Sequence, residues 1–215
     1  MTVDRFGILD GKDVWEIALT GPDGVEMRIL TWGAVVRDLV VPTRQGPRPV
    51  VLGLNSITDY RFHSPYFGAI VGRYANRIGQ AHFTLDGHTY ALDANEGRNQ
   101  LHGGSHGFGT RHWTIVEQKP SSVTLALVSE DGDMGYPGRL VATCTYSLLP
   151  GASVRIALEA TCDRPTPVNL TTHGYFNLDG SPDICSHHLM IAADYITPAA
   201  SDLIPTGEIR SVTGT

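Results

Sequence analysis

Three histidines stand in loop-like stretches of the sequence, and they are the residues best suited to proton transfer. His173 follows two threonines in Thr171-Thr172-His173-Gly174, and His102 and His106 enclose Gly103-Gly104-Ser105. Loops carry a disproportionate share of binding and catalytic groups, and an imidazole gains or loses a proton close to neutral pH. These residue types therefore suggest acid or base chemistry at the loops.

The other histidines have less suitable surroundings. Four of them lie in or beside expected strands without an acidic partner at a telling spacing, and we expect surface or packing roles for His63, His82, His88 and His112. The adjacent His187 and His188 would point to opposite faces of a strand, so they cannot both serve one site.

The glycine-rich run 103–109 raises two alternatives, a metal site and a nucleotide site. His102 and His106 are four residues apart, a spacing that brings two metal ligands together only on a helix, and glycines at this density disfavour a helix. The run lacks the Lys-Ser/Thr ending of a phosphate-binding loop and precedes a strand-like segment. We therefore predict no cofactor and no metal, and a metal held by the two histidines stays the minor alternative. No Gly-x-Ser-x-Gly elbow marks a nucleophile either.

Short alternating or β-branched segments predict the elements that must position these groups. The Asp86-Gly87 pair favours a type I′ hairpin turn. Because strands follow one another without crossover helices, the sequence predicts an all-β fold, an antiparallel β-sandwich or barrel. We expect a single domain over 1–215 with one short helix at 56–63 and with strands at 13–19, 25–30, 34–41, 49–54, 82–85, 88–92, 113–117, 122–129, 139–148 and 153–161.

The composition narrows the class of protein further. The 215 residues are 41% hydrophobic and 18% charged, and the net charge of -6 is spread without a basic block, which argues against a nucleic-acid surface. The start of the chain does not resemble a signal peptide, and no stretch approaches a membrane span. Cys144, Cys162 and Cys185 are well separated, so we expect reduced structural cysteines. A cytoplasmic protein is the expectation.

Four motifs together resemble one family. They are GRYANRI at 72–78, NQLHGG at 99–104, DGDMGYPG at 131–138 and TTHGYFNL at 171–178. In order and in spacing they are similar to the aldose 1-epimerases, also called galactose mutarotases. The resemblance covers essentially the whole chain and implies the β-supersandwich fold of that family, in agreement with the all-β prediction.

The resemblance also implies roles for individual residues. His173 matches the acid that protonates the ring oxygen while a base removes the proton of the anomeric hydroxyl. Arg77 and His102 match residues that bind sugar hydroxyls and the ring-oxygen side, and Asn76 is a further hydrogen-bond partner. Tyr175 and Phe176 flank the acid, and we expect one of them in the core and the other against the apolar face of the sugar.

The family chain continues beyond the position of Thr215, and its general base, a glutamate, lies in that further part with a sugar-binding aspartate. By resemblance, this chain lacks the C-terminal third, and Glu208 matches a non-catalytic turn. We expect an aldose 1-epimerase for a hexose such as galactose or glucose whose activity is doubtful without the base. A truncated sandwich exposes strand edges and an apolar face, so we also expect low stability, self-association or a partner chain.

Three alternatives stay open at this point. A non-catalytic carbohydrate-binding or regulatory module would keep Arg77, His102 and His173 as ligand contacts. An epimerase for a hexose 6-phosphate would need a basic cluster for the phosphate, which the sequence does not offer. A non-functional fragment would neither bind a sugar nor exchange its anomers.

Overall fold

A computed structural model describes residues 1–64 and 66–214. Within these ranges one α-helix, α1 (Ile57–His63), and three short 3-10 turns, Gly79–Ala81, Phe108–Thr110 and Asp133–Gly135, accompany the strands. None of the helical segments there has the length and apolar character that a membrane crossing needs. The strands are β1 (Thr2–Leu9), β2 (Lys12–Thr20), β3 (Glu26–Leu30), β4 (Val36–Thr43), β5 (Gly46–Pro49), β6 (Ile70–Val71), β7 (Arg77–Ile78), β8 (His82–Leu85), β9 (His88–Ala91), β10 (Gln100–Leu101), β11 (Thr114–Lys119), β12 (Ser122–Ser129), β13 (Leu140–Leu149), β14 (Ser153–Cys162), β15 (Thr171–Thr172), β16 (Tyr195–Ile196) and β17 (Arg210–Ser211).

Two antiparallel sheets form the body of the fold. Strands β1 to β5 follow one another in sequence order in the first sheet, and β11 to β14 do the same in the second. Successive strands joined by tight turns produce this meander because each turn returns the chain beside the strand it has left. The predicted β8–β9 hairpin is confirmed, and its turn residues Asp86 and Gly87 have φ angles of 51° and 76°, as a type I′ turn requires.

The main hydrophobic core lies between the inner faces of the two sheets. Side chains at alternate positions of β2 and β3, such as Ile17 and Ile29, are fully buried with Leu125 of β12 and Tyr146 of β13. The Tyr146 hydroxyl donates a hydrogen bond of 2.6 Å to the carbonyl of Ala34. Period-two alternation therefore buries one face of each sheet, and the hydrogen bond from Tyr146 to Ala34 connects the two layers.

Helix α1 packs on a second apolar cluster at the other face of the first sheet. Ser56 caps the helix by accepting the backbone N–H of Asp59 at 3.1 Å, which satisfies a donor that the first turn leaves open. Ile57 and Tyr60 are buried in this cluster together with Trp32. The predicted helix at 56–63 is thereby confirmed.

Two strand predictions need correction. The expected strand at 49–54 is wrong over most of its length, because β5 ends at Pro49 and the backbone of the next residues binds the segment after His173. Leu52 N–H donates to the carbonyl of Tyr175 at 2.9 Å, and the carbonyl of Val50 accepts from Asn177 N–H at 3.0 Å. Strand β1 was not predicted, since its outward residues from 2 to 5 are exposed and carry little apolar alternation.

Candidate active site

Two short antiparallel strand pairs bring the histidine loops together. In the first pair, Thr172 of β15 lies opposite Ile70 of β6, and the next residue, His173, donates its N–H to the carbonyl of Ala69 at 2.8 Å. In the second pair, Leu101 of β10 lies opposite Arg77 of β7. Each candidate histidine thus follows a strand that is paired with the 70–78 stretch.

The segment between β6 and β7 is therefore the common support of the site. Asn169 binds it twice through the backbone, since Asn169 N–H donates to Arg73 at 3.0 Å and the carbonyl of Asn169 accepts from Ala75 at 2.7 Å. On the other side Gly103 has a φ of 86°, and a Cβ there would overlap the carbonyl oxygen of Gly72. Only glycine allows this close approach, which explains the glycine after His102.

Four aromatic rings meet at the resulting site. The rings of His102 and His173 are perpendicular with their centroids 5.1 Å apart. Tyr66 contacts both, at 4.7 Å from His102 and 5.6 Å from His173. Tyr175 stacks on His173 at 5.2 Å. The expectation that Tyr175 or Phe176 enters the core is wrong, because the two side chains keep 37% and 50% of their surface exposed.

The protonation state of His102 follows from its contacts. Its Nδ1 lies 3.0 Å from the backbone N–H of Asn76 and must accept that hydrogen bond, so the neutral ring carries its proton on Nε2. Burial lowers the pKa of His102 to about 4, and the positive charges of His173 and Arg77 add to the effect, while Glu96 opposes it. His102 is therefore a neutral Nε2–H donor at neutral pH.

Asn76 and Arg77 supply the polar wall beside His102. Asn76 has a φ of 64°, and its backbone makes two contacts with His102, because its carbonyl also accepts the N–H of His102 at 3.0 Å. The Arg77 guanidinium binds Glu96 with two hydrogen bonds of 2.6 Å. Its Nη1 lies 3.4 Å from the side-chain oxygen of Asn76. The guanidinium is thus held between two neighbours.

A buried cation lies beneath this segment. Arg73 is 1% exposed and donates to the carbonyls of Pro137 and Gly138 at 2.8 and 3.0 Å and to the hydroxyl of Ser129 at 2.7 Å. Burial lowers its pKa. These contacts tie the support of the site to the second sheet.

Tyr136 shows the same inward orientation. Its hydroxyl donates to the side chain of Gln100, and it is fully buried under Arg73. Tyr136 therefore belongs to the packing beneath the site.

The four sequence-predicted residues occupy one region. His102 and His173 are in ring contact, Asn76 binds His102, and Arg77 follows Asn76. His106 is exposed and lines a cavity of about 380 Å³ with Tyr66 and Trp32. Within 1–64 and 66–214, no group of three or more His, Cys, Asp or Glu side chains is arranged to hold a metal ion.

Sequence reasoning did not identify Tyr66, Glu96 or Arg73. Tyr66 follows Ser64-Pro65, which signals a turn but no catalytic role, so its approach to both histidines is a result of folding alone. Glu96 lies 19 residues from Arg77. An acidic residue in the turn before the His102 strand was the one available signal, and it is weak.

The all-β fold thus brings two imidazoles, an arginine fork and aromatic rings into one region, and these groups are chemically able to transfer protons and to donate hydrogen bonds to vicinal hydroxyls. The aldose 1-epimerase family model matches residues 16–215. The chain is 41% identical over 208 residues to the aldose 1-epimerase of Escherichia coli (strain K12), covering 96% of this chain and 60% of that protein. It is 45% identical over 196 residues to the galactose mutarotase of Sus scrofa, covering 90% and 57%.

Solved structures show the same relationship. An aldose epimerase homologue from C. elegans superimposes with a TM-score of 0.89 at 35% identity, over 93% of this chain and 62% of that one. The galactose 1-epimerase from Lactobacillus acidophilus NCFM gives a TM-score of 0.85 at 28% identity, over 100% and 63%. The chain belongs to the aldose 1-epimerase family and has the all-β, galactose mutarotase-like fold predicted from its sequence. It spans about 60% of the length of the relatives it matches.

Proposed function

We propose that this chain carries the sugar-binding and proton-donating part of an aldose 1-epimerase and acts on a hexose such as galactose or glucose. The observation that carries the proposal is the contact of the His102 and His173 rings, whose centroids lie 5.1 Å apart. Arg77 stands next to Asn76, which binds His102. Membership of the family supports the same reaction class.

In the proposed reaction His173 gives its proton to the ring oxygen of the sugar while a base takes the proton of the anomeric hydroxyl. The C1–O5 bond breaks, and an open aldehyde forms. Rotation about the C1–C2 bond and closure on the other face give the other anomer, and the two protons return by the reverse transfers. The proposed reaction needs no redox change, so the proposal requires no cofactor.

Each remaining group has a binding role in this proposal. His102 donates its Nε2–H to a sugar oxygen, because its Nδ1 is occupied by the Asn76 N–H. Arg77 offers the N–H groups that Glu96 does not engage. Tyr66 and Tyr175 provide ring faces beside His173, which suit the apolar C–H face of a hexose.

The base determines how much activity the chain has by itself. By resemblance the base is a glutamate beyond residue 215. Glu96, a carboxylate that the described residues bring to the site, uses both oxygens for Arg77. We therefore expect residues 1–215 alone to bind a sugar and to exchange its anomers about 10² to 10⁴ times more slowly than a chain with both groups. A non-catalytic carbohydrate-binding or regulatory module is the second candidate, and the half-buried Arg77, His102 and His173 favour it because they can contact a sugar without the base.

Polarimetry on freshly dissolved α-galactose and α-glucose, together with an NMR titration of the chain with galactose, tests the proposal. Saturable shifts at His102 and His173 with faster anomer exchange than buffer support the enzyme. The variant His173→Gln should then lose the exchange, while the exposed His88→Gln keeps it. Saturable binding without exchange supports the binding module, and neither signal refutes both.

A further inference from the structure

Arg77 and Glu96 form a two-point ion pair at the edge of the site. The Nε of Arg77 donates to Oε2 of Glu96 and Nη2 donates to Oε1, both at 2.6 Å. The arginine side chain keeps 16% of its surface exposed and the glutamate side chain 36%. A fork of this kind fixes the plane of the guanidinium as well as its position.

The fold forms this pair before any ligand binds. Glu96 and Asn99 exchange backbone hydrogen bonds of 3.1 and 2.9 Å, which close a tight turn. That turn leads directly into β10, and β10 pairs with β7 so that Leu101 faces Arg77. Backbone pairing therefore places the carboxylate beside the guanidinium, and the pair does not depend on two long side chains meeting by chance.

The pair leaves a defined part of Arg77 for a ligand. Nε–H and one N–H of Nη2 are used by Glu96, and Nη1 points toward the Asn76 oxygen at 3.4 Å. This contact is long, so Nη1 is the donor that a sugar hydroxyl can take over with little loss. A side chain already held in place also loses less conformational entropy on binding.

We propose that Glu96 is a positioning residue that holds the Arg77 guanidinium for a sugar hydroxyl and acts on the sugar only through Arg77. The inference rests on the proposed function, because it assumes that Arg77 binds the sugar. Both carboxylate oxygens accept from Arg77, so the geometry gives Glu96 a positioning role and not that of a proton acceptor.

A double-mutant cycle on galactose affinity tests the inference. Glu96→Ala should weaken binding about tenfold, since Arg77 must then be ordered by the ligand. In the Arg77→Ala background, adding Glu96→Ala should change the dissociation constant less than about twofold. A collapse of the turn would also displace His102, and the two losses would then add. Additive losses, or unchanged affinity in Glu96→Ala, would overturn the inference.

The chain offers a matched control. Glu208 and Arg210 form a similar two-point pair, with distances of 2.9 and 2.8 Å, in an exposed turn. Glu208→Ala removes the same chemical interaction away from the histidines, so it should leave galactose affinity unchanged. A tenfold loss in Glu208→Ala would show that the effect comes from general loss of charge and would also overturn the inference.

A measurement on the ligand-free chain separates this inference from the proposed function. The side-chain Nε–H of Arg77, observed by ¹H–¹⁵N NMR, should exchange with water at least about tenfold faster in Glu96→Ala than in the wild type, because its acceptor is gone. Equal exchange rates refute the positioning role whether or not a sugar binds. A wild-type chain that shows the slow Nε–H but no response to galactose refutes the proposed function and with it the action on a sugar.

Discussion

His102 is expected to titrate near pH 4 in the folded chain. Burial opposes a charge on its ring, and the neighbouring His173 and Arg77 add positive charge, so the pKa falls from 6.5 to about 4. The geometry points the same way, since a proton on Nδ1 would face the Asn76 N–H that now donates to it at 3.0 Å. Lowering the pH is therefore the perturbation that tests the protonation state of His102.

The size of the effect on the free energy of unfolding follows from the pKa of His102 in the unfolded and in the folded chain. In the unfolded chain His102 takes up a proton near pH 6.5, whereas in the folded chain it takes up the proton only near pH 4. The corresponding stabilisation is present in full above pH 6.5 and is lost as the pH falls from 6.5 to 4. It amounts to about 3 kcal/mol at most, and a value nearer 1 kcal/mol is expected for a ring that solvent partly reaches.

The assay is a ¹H–¹³C NMR titration of the histidine ring signals from pH 3 to pH 8, paired with urea unfolding at the same pH values. The His102 signal should shift with a midpoint near 4 in the folded chain, and near 6.5 in urea. His173→Asn removes one positive neighbour and should raise the midpoint. A folded-state midpoint within one pH unit of 6.5 would refute the lowered pKa of His102, and no change in His173→Asn would refute the contribution of His173 to that shift.

Three further predictions concern stability. Gly103→Ala places a Cβ on the Gly72 carbonyl oxygen and should lower the free energy of unfolding by about 3 kcal/mol or more. The control Gly11→Ala, also at positive φ but in open space, should lower it by about 1 kcal/mol. Urea unfolding measures both values. Tyr146→Phe breaks the 2.6 Å bond to Ala34 and should cost about 1 to 2 kcal/mol, while the exposed Tyr195→Phe should cost nothing measurable. Leu189 and Met190 are 86% and 88% exposed, so residues 1–215 alone should self-associate or bind a partner chain, and replacing both by Ser should reduce light scattering. A monomeric wild type that melts cooperatively in calorimetry would contradict this last expectation.

The sequence predicted the body of the fold well because its signals are local. Strands β12 and β13 alternate buried and less buried positions along their own length, and the Asp86-Gly87 pair specifies its turn without help from distant residues. Strand β1 was not predicted because it depends on pairing with β2, and its own residues show little apolar alternation. The predicted strand at 49–54 is wrong beyond Pro49 because the backbone of Val50 and Leu52 forms hydrogen bonds with residues 175–177 instead of continuing β5.

Within the site, the sequence by itself determined which residue types are available, and the motif spacing placed Asn76, Arg77, His102 and His173 in one family pattern. The tertiary structure decided how they are used. The proton of His102 is on Nε2 because of a backbone N–H that lies 26 residues away, and the plane of Arg77 is set by a carboxylate 19 residues away. Such contacts depend on the pairing of β7 with β10, and no local pattern encodes a pairing between separate segments.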